Sequence, residues 1–103
     1  MALKGLARVG DTLAGVCTAH THSTAWTGVI SAATAGFTSD GINVAAVGDE
    51  GNTSCGHHFR IIAGSSIFTG AGGKVVAREG DAVIVIEGGT GTITSGSGIV
   101  KSE

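Results

Sequence analysis

Three copies of one pentapeptide constrain this chain more than any other feature. Ala7-Arg8-Val9-Gly10-Asp11, Ala45-Ala46-Val47-Gly48-Asp49 and Ala77-Arg78-Glu79-Gly80-Asp81 all read Ala-x-x-Gly-Asp. The aspartates are spaced 38 and 32 residues apart. A period in this range marks a chain built from one supersecondary unit per repeat. The flanks repeat as well. Asp40-Gly41-Ile42-Asn43-Val44 leads into the second copy and Gly70-Ala71-Gly72-Gly73-Lys74-Val75-Val76 into the third. Each is a turn signal followed by a β-branched stretch, and Asp-Gly is a strong two-residue hairpin signal.

Each unit therefore reads alike. A strand ends at Gly-Asp, where Gly supplies an unusual φ and the carboxylate accepts nearby backbone N–H groups. A variable loop follows, then a strand such as Ile61-Ile62 or Ile67-Phe68-Thr69, then a Gly-rich hairpin. The last unit stops at Gly96-Ser97-Gly98-Ile99-Val100, which resembles Gly64-Ser65-Ser66-Ile67-Phe68. The repeats span about 5–40, 41–73 and 74–103 of a single domain, 1–103. Three units in one chain predict a pseudo-threefold body suited to docking on a partner with true threefold symmetry. The competing arrangement is a stacked solenoid.

Composition sets the fold class. The 103 residues include 19 Gly, 10 Val, 9 Ile and 12 Thr, but only 3 Leu and no Gln, Tyr or Pro. Ordinary chains carry ~7% Gly. β-Branched residues build strands, so the expectation is an all-β domain without a helical bundle. A hydrophobic content of 42% with 14% charged residues excludes the disorder signature. The aromatics are just Trp26, Phe37, Phe59 and Phe68, so the core is thin. Thin cores need a metal, a disulfide or a partner. The net charge of −2 and the absence of any Lys/Arg run remove the footprint of a nucleic-acid binder. No apolar run approaches the ~20 residues of a membrane-spanning helix, and no apolar leader core follows Met1–Gly5, so no Sec signal peptide is expected. The longest apolar run, Ala82-Val83-Ile84-Val85-Ile86, reads as a buried strand.

Both cysteines and all four histidines fall in two windows, Cys17-Thr18-Ala19-His20-Thr21-His22 and Cys55-Gly56-His57-His58. Cys17 lies six residues after Asp11, and Cys55 six after Asp49. The third repeat has Glu87 at that offset. Two equivalent loops bearing Cys and His can converge on one ion, and Zn²⁺ favours tetrahedral Cys/His coordination. Residues two apart on an extended segment share a face, which groups His20 with His22 and Cys55 with His57. His58 can replace His57 if the chain turns sharply after Gly56, and Cys17 can replace one histidine. The equal three-residue steps Cys17/His20 and Cys55/His58 are a rival pairing, and a Cys17–Cys55 disulfide is the metal-free alternative. No Glu or Asp base sits within either histidine window. The glycine pairs open no expected helix, so a phosphate cradle fails on context. No enzyme activity and no small-molecule substrate are expected.

These residues resemble the PAAR-repeat family. Ala7-Arg8-Val9-Gly10-Asp11 and Lys74-Val75-Val76-Ala77-Arg78-Glu79-Gly80-Asp81 are similar to the motif that names it, Gly64-Ser65-Ser66-Ile67-Phe68 to its Gly-Ser-x-x-Val-Phe strand, and Cys55-Gly56-His57-His58 to its metal loop. The departures are Ala45 and Val75 where the motif has proline, and Ala46 in place of Arg. The resemblance implies a small conical or pyramidal β-prism of three repeats. Its base would cap the trimeric β-helical spike of a contractile injection machine, one tip per trimer, and its point would meet the target envelope. It also implies zinc (iron being the alternative) at the apex, held by His20, His22, Cys55 and His57. The minimal length favours a phage tail or baseplate over a type VI secretion system, in which the chain would be cytoplasmic before secretion. The reading from a different class is a stand-alone zinc-binding module or small zinc-dependent hydrolase.

Overall fold

The computed structural model describes residues 4–18, 22–39, 41–65, 69–96 and 101–102. They form an all-β body with no α-helix among them. The strands are β1 (Lys4–Gly5), β2 (Thr12–Cys17), β3 (Thr24–Val29), β4 (Thr38–Ser39), β5 (Ile42–Asn43), β6 (Glu50–Asn52), β7 (His58–Ile61), β8 (Ala82–Val85), β9 (Gly89–Ile93) and β10 (Lys101–Ser102). One 3₁₀ turn covers Ala71–Gly73. Parts of two expected strands, at 66–68 and 97–100, lie outside the described residues.

The three Ala-x-x-Gly-Asp segments meet in a closed ring of main-chain hydrogen bonds. The Ala7 N–H donates to the Ala77 carbonyl at 3.0 Å, Ala77 to Ala45 at 3.0 Å and Ala45 to Ala7 at 2.9 Å. A second ring runs the opposite way, from Val9 to Asn43, Val47 to Val75 and Glu79 to Gly5, at 3.0, 2.8 and 2.7 Å. A stacked solenoid would leave the first and third segments apart; here they are bonded directly. Alanine suits this position because three backbones converge there, and Ala7, Ala45 and Ala77 are fully buried.

Each segment ends in the same device. Gly10, Gly48 and Gly80 have φ of 93°, 99° and 87°, and at Gly10 and Gly48 an added Cβ would meet nothing within 4 Å. Conformation therefore demands glycine at these positions. The following aspartate folds back on the residue three before it. Asp11, Asp49 and Asp81 accept the N–H of Arg8, Ala46 and Arg78 at 2.8, 2.8 and 2.7 Å. All three aspartates are buried.

After each Gly-Asp the chain makes one hairpin: β2–β3, β6–β7 and β8–β9. The hairpins assemble into one antiparallel sheet in the order β3-β2-β9-β8-β7-β6. It curls until its outer strands meet. Gly28 bridges Thr53, and Ser54 N–H donates to the Thr27 carbonyl at 2.8 Å. This contact protects edges that would otherwise stay unpaired.

The apolar run of the third hairpin differs from expectation. Val83 and Val85 face inward, but Ile84 is half-buried and Ile86 is exposed. One face of the strand lines the core and the other looks out, so period-two alternation overrides the uniform apolarity. At the other side of the ring Ser39 pairs with Ile42, the pairing that an Asp-Gly hairpin turn requires; Asp40 itself lies outside the described residues. Lys4 pairs with Ser102 there, so the two termini also form a ribbon.

The core has two parts. Leu6, Val44 and Val76, each just before its ring alanine, form one cluster with Ala35 and Ala46. The larger cluster fills the hairpin body, where Ile30, Ile61 and Ile93 follow one another around the sheet. Beyond them the threefold pattern breaks. Trp26 and Phe59 stack with ring centroids 6.1 Å apart and planes 9° from parallel. Glycines make room for them: a Cβ on Gly91 would sit 2.6 Å from the indole, and one on Gly51 2.6 Å from the phenyl ring.

Candidate metal centre

At the hairpin end, above the stacked rings, three donor atoms converge. Cys17 is the last residue of β2 and shares its buried face with Leu13. Cys55 and His57 lie in the turn between β6 and β7. The Cys17 Sγ is 3.2 Å from His57 Nδ1, and the Cys55 Sγ is 3.7 Å from the same nitrogen. The three donor atoms all lie within 4.8 Å of one another. Tetrahedral Zn–S bonds of ~2.3 Å and Zn–N bonds of ~2.0–2.1 Å place sulfur and nitrogen about 3.5 Å apart. The Cys-Cys-His group therefore has spacings compatible with one zinc ion. The two cysteines are not joined to each other in a disulfide.

The second hairpin's turn is organised by Thr53. Its N–H donates to the His57 carbonyl at 2.9 Å, and its carbonyl accepts from Gly56 N–H at 3.2 Å. Its hydroxyl accepts the His57 N–H at 3.0 Å and lies 3.0 Å from the Cys55 sulfur. With the hydroxyl oxygen already accepting, its proton is free to point at that sulfur. Gly56, at φ 86°, provides the sharp reversal. His57, Phe59 and Ile61 then fall on the inner face, and His58 and Arg60 on the outer one.

Of the four expected ligands, Cys55 and His57 stand in the cluster. His22 is exposed and lies outside the cluster found among the described residues, and its carbonyl accepts the Thr24 hydroxyl at 3.1 Å. His20 lies outside the described residues. Cys17, carried as a replacement for one histidine, supplies the third donor; its six-residue offset from Asp11 was the sequence signal. His58 turns outward and meets the third hairpin. Its N–H donates to Glu87 Oε1 at 3.0 Å, and its Nδ1 lies 2.8 Å from Oε2. The hydrogen bond from the His58 ring, reinforced by the one from its backbone, lowers the Glu87 carboxyl to about 2. Glu87 carries no motif that marks a role, although it occupies the offset that Cys17 and Cys55 hold in their own repeats.

Set against known proteins, the chain matches no family model, no curated protein and no solved structure.

Proposed function

We propose that this protein is a structural tip of the PAAR-repeat kind: a pseudo-threefold β-prism whose ring end caps a trimeric β-helical spike, with a metal ion at the far end. The observation that carries this reading is the closed ring joining Ala7, Ala45 and Ala77. One chain thereby offers three related backbone faces. A threefold partner can engage all three at once only if a single copy sits on its axis. The short ribbons at that end, Thr38–Ser39 with Ile42–Asn43 and Lys4–Gly5 with Lys101–Ser102, supply strand edges that another β-structure can extend. The Cys17, Cys55 and His57 group supports zinc in the role of a staple that adds to the apolar cluster at that end. The setting is a contractile phage tail in preference to a type VI secretion system, and the role is mechanical, at the target envelope.

Mixing the chain with a trimeric β-helical spike and measuring the mass of the complex tests this. One copy per trimer is expected. Three copies per trimer would overturn the symmetry argument. The second reading, a free-standing zinc-binding module, is favoured by the same Cys-Cys-His group, and it predicts stoichiometric zinc with no affinity for any trimeric spike.

A further inference from the structure

The three hairpin ends are unequal. Two bring cysteine to the position six residues after the repeat's aspartate, and the third brings Glu87. That carboxylate grips His58 twice, at its backbone N–H and at its ring. The grip is completed from the other side, where the His58 carbonyl accepts the Ile86 N–H at 2.8 Å. His58 is thus held outward by both backbone and side chain. Neighbouring residues on an extended segment point to opposite faces, so fixing His58 outward presents His57 inward, with Nδ1 towards both sulfurs. The sequence offers His57 and His58 as adjacent, chemically identical candidates. What distinguishes them is the partner on the third hairpin.

We infer that Glu87 is a positioning residue of the metal centre: it clamps His58 to the third hairpin and so commits His57 to the metal. This rests on the metal reading above. It gives the third repeat a part in a site to which it contributes no donor among the described residues. Outer partners that orient metal ligands typically carry 10–100-fold in metal affinity.

Co²⁺ serves as the probe, added to the full chain and followed by its absorption bands and by competition with a chromophoric chelator. The E87A variant is expected to bind about 10–100-fold more weakly with shifted d–d bands, because His57 is no longer held in one orientation. E87Q keeps an oxygen to accept the His58 N–H and is expected to recover most of the affinity and the wild-type bands. Wild-type affinity and spectrum in E87A would overturn the inference, as would E87Q binding no better than E87A. Should E87A not fold, E87D carries the test: one methylene shorter, it cannot span both contacts, and unchanged Co²⁺ affinity there would overturn the inference. A wild-type chain that binds no Co²⁺ or Zn²⁺ removes the metal reading and this inference together, whereas a metal-binding wild type matched by E87A removes the inference alone.

Discussion

The ring end and the hairpin end of this molecule obey different rules. At the ring, three segments make the same bonds with the same partners, and the bonds are almost all backbone. At the hairpin end the three units diverge into a Cys loop, a Cys-His loop and a Glu turn, joined by side chains. Backbone bonding tolerates any side chain that fits, so it can repeat faithfully through sequence drift. A metal centre needs a few particular donors, and here Cys17 comes from one hairpin end and Cys55 and His57 from another, while the third brings Glu87. Symmetry is kept where the body is assembled and given up where the Cys-Cys-His group gathers.

The largest effect expected from breaking this contrast is at the hairpin end. A ligand at a thousand times its Kd stabilises by about 4 kcal/mol. For ~100 residues each kcal/mol moves Tm by ~4–8 °C. Chelation should therefore lower Tm by about 15–30 °C in a thermal melt, and C17S or C55S should leave little further response to chelator.

A smaller loss is expected at the ring. Asp81 accepts the Arg78 N–H and also the guanidinium, at 3.0 Å from Nε and 2.8 Å from Nη2. D81A leaves those partly buried donors unpaired and should cost about 2–3 kcal/mol in denaturant unfolding. The second repeat lacks the arginine, having Ala46. There Thr34 substitutes: its N–H and hydroxyl donate to Asp49 at 3.0 and 2.5 Å. T34A should cost about 1–2 kcal/mol, and it sharpens the comparison by showing whether the ring's equivalence depends on this replacement.

The smallest effect is that of pH on the Glu87–His58 clamp. The carboxyl lies below its ordinary 4.5, at about 2, in the folded protein. A lowered folded value means that the clamp's contribution is fully present above the ordinary value and is lost as pH falls through the folded one. In chelator, the Tm difference between wild type and E87Q should be constant above pH 5 or so and shrink as pH falls towards about 2.

Much of the ring was legible in the sequence because its requirements are local. A glycine at φ near 90° and an aspartate reaching back three residues leave a five-residue signature. The all-β class followed from the excess of Val, Ile and Thr. The hairpin end was legible only in part. The sequence placed Cys55 and His57 in a metal loop, but it could not show that His58 would be captured from 29 residues away. Nor could it show that β2 ends with Cys17 facing inward, since that depends on strand register. Thr34, 15 residues from Asp49, was equally invisible. The apolar run through Ile86 misled because uniform apolarity hides alternation. In each case the missing information was a contact made by folding, not a property of the local sequence.

Amide hydrogen exchange, with and without chelator, tests the contrast between the two ends most directly. The account predicts that the Ala7, Ala45 and Ala77 amides are among the slowest in the chain. Their protection should agree within about tenfold, roughly 1.4 kcal/mol, and should persist when metal is removed. The amides of Thr53, Gly56 and His57 should lose protection on chelation. Ring amides that exchange at widely different rates, or a ring and hairpin end that lose protection together, would contradict it.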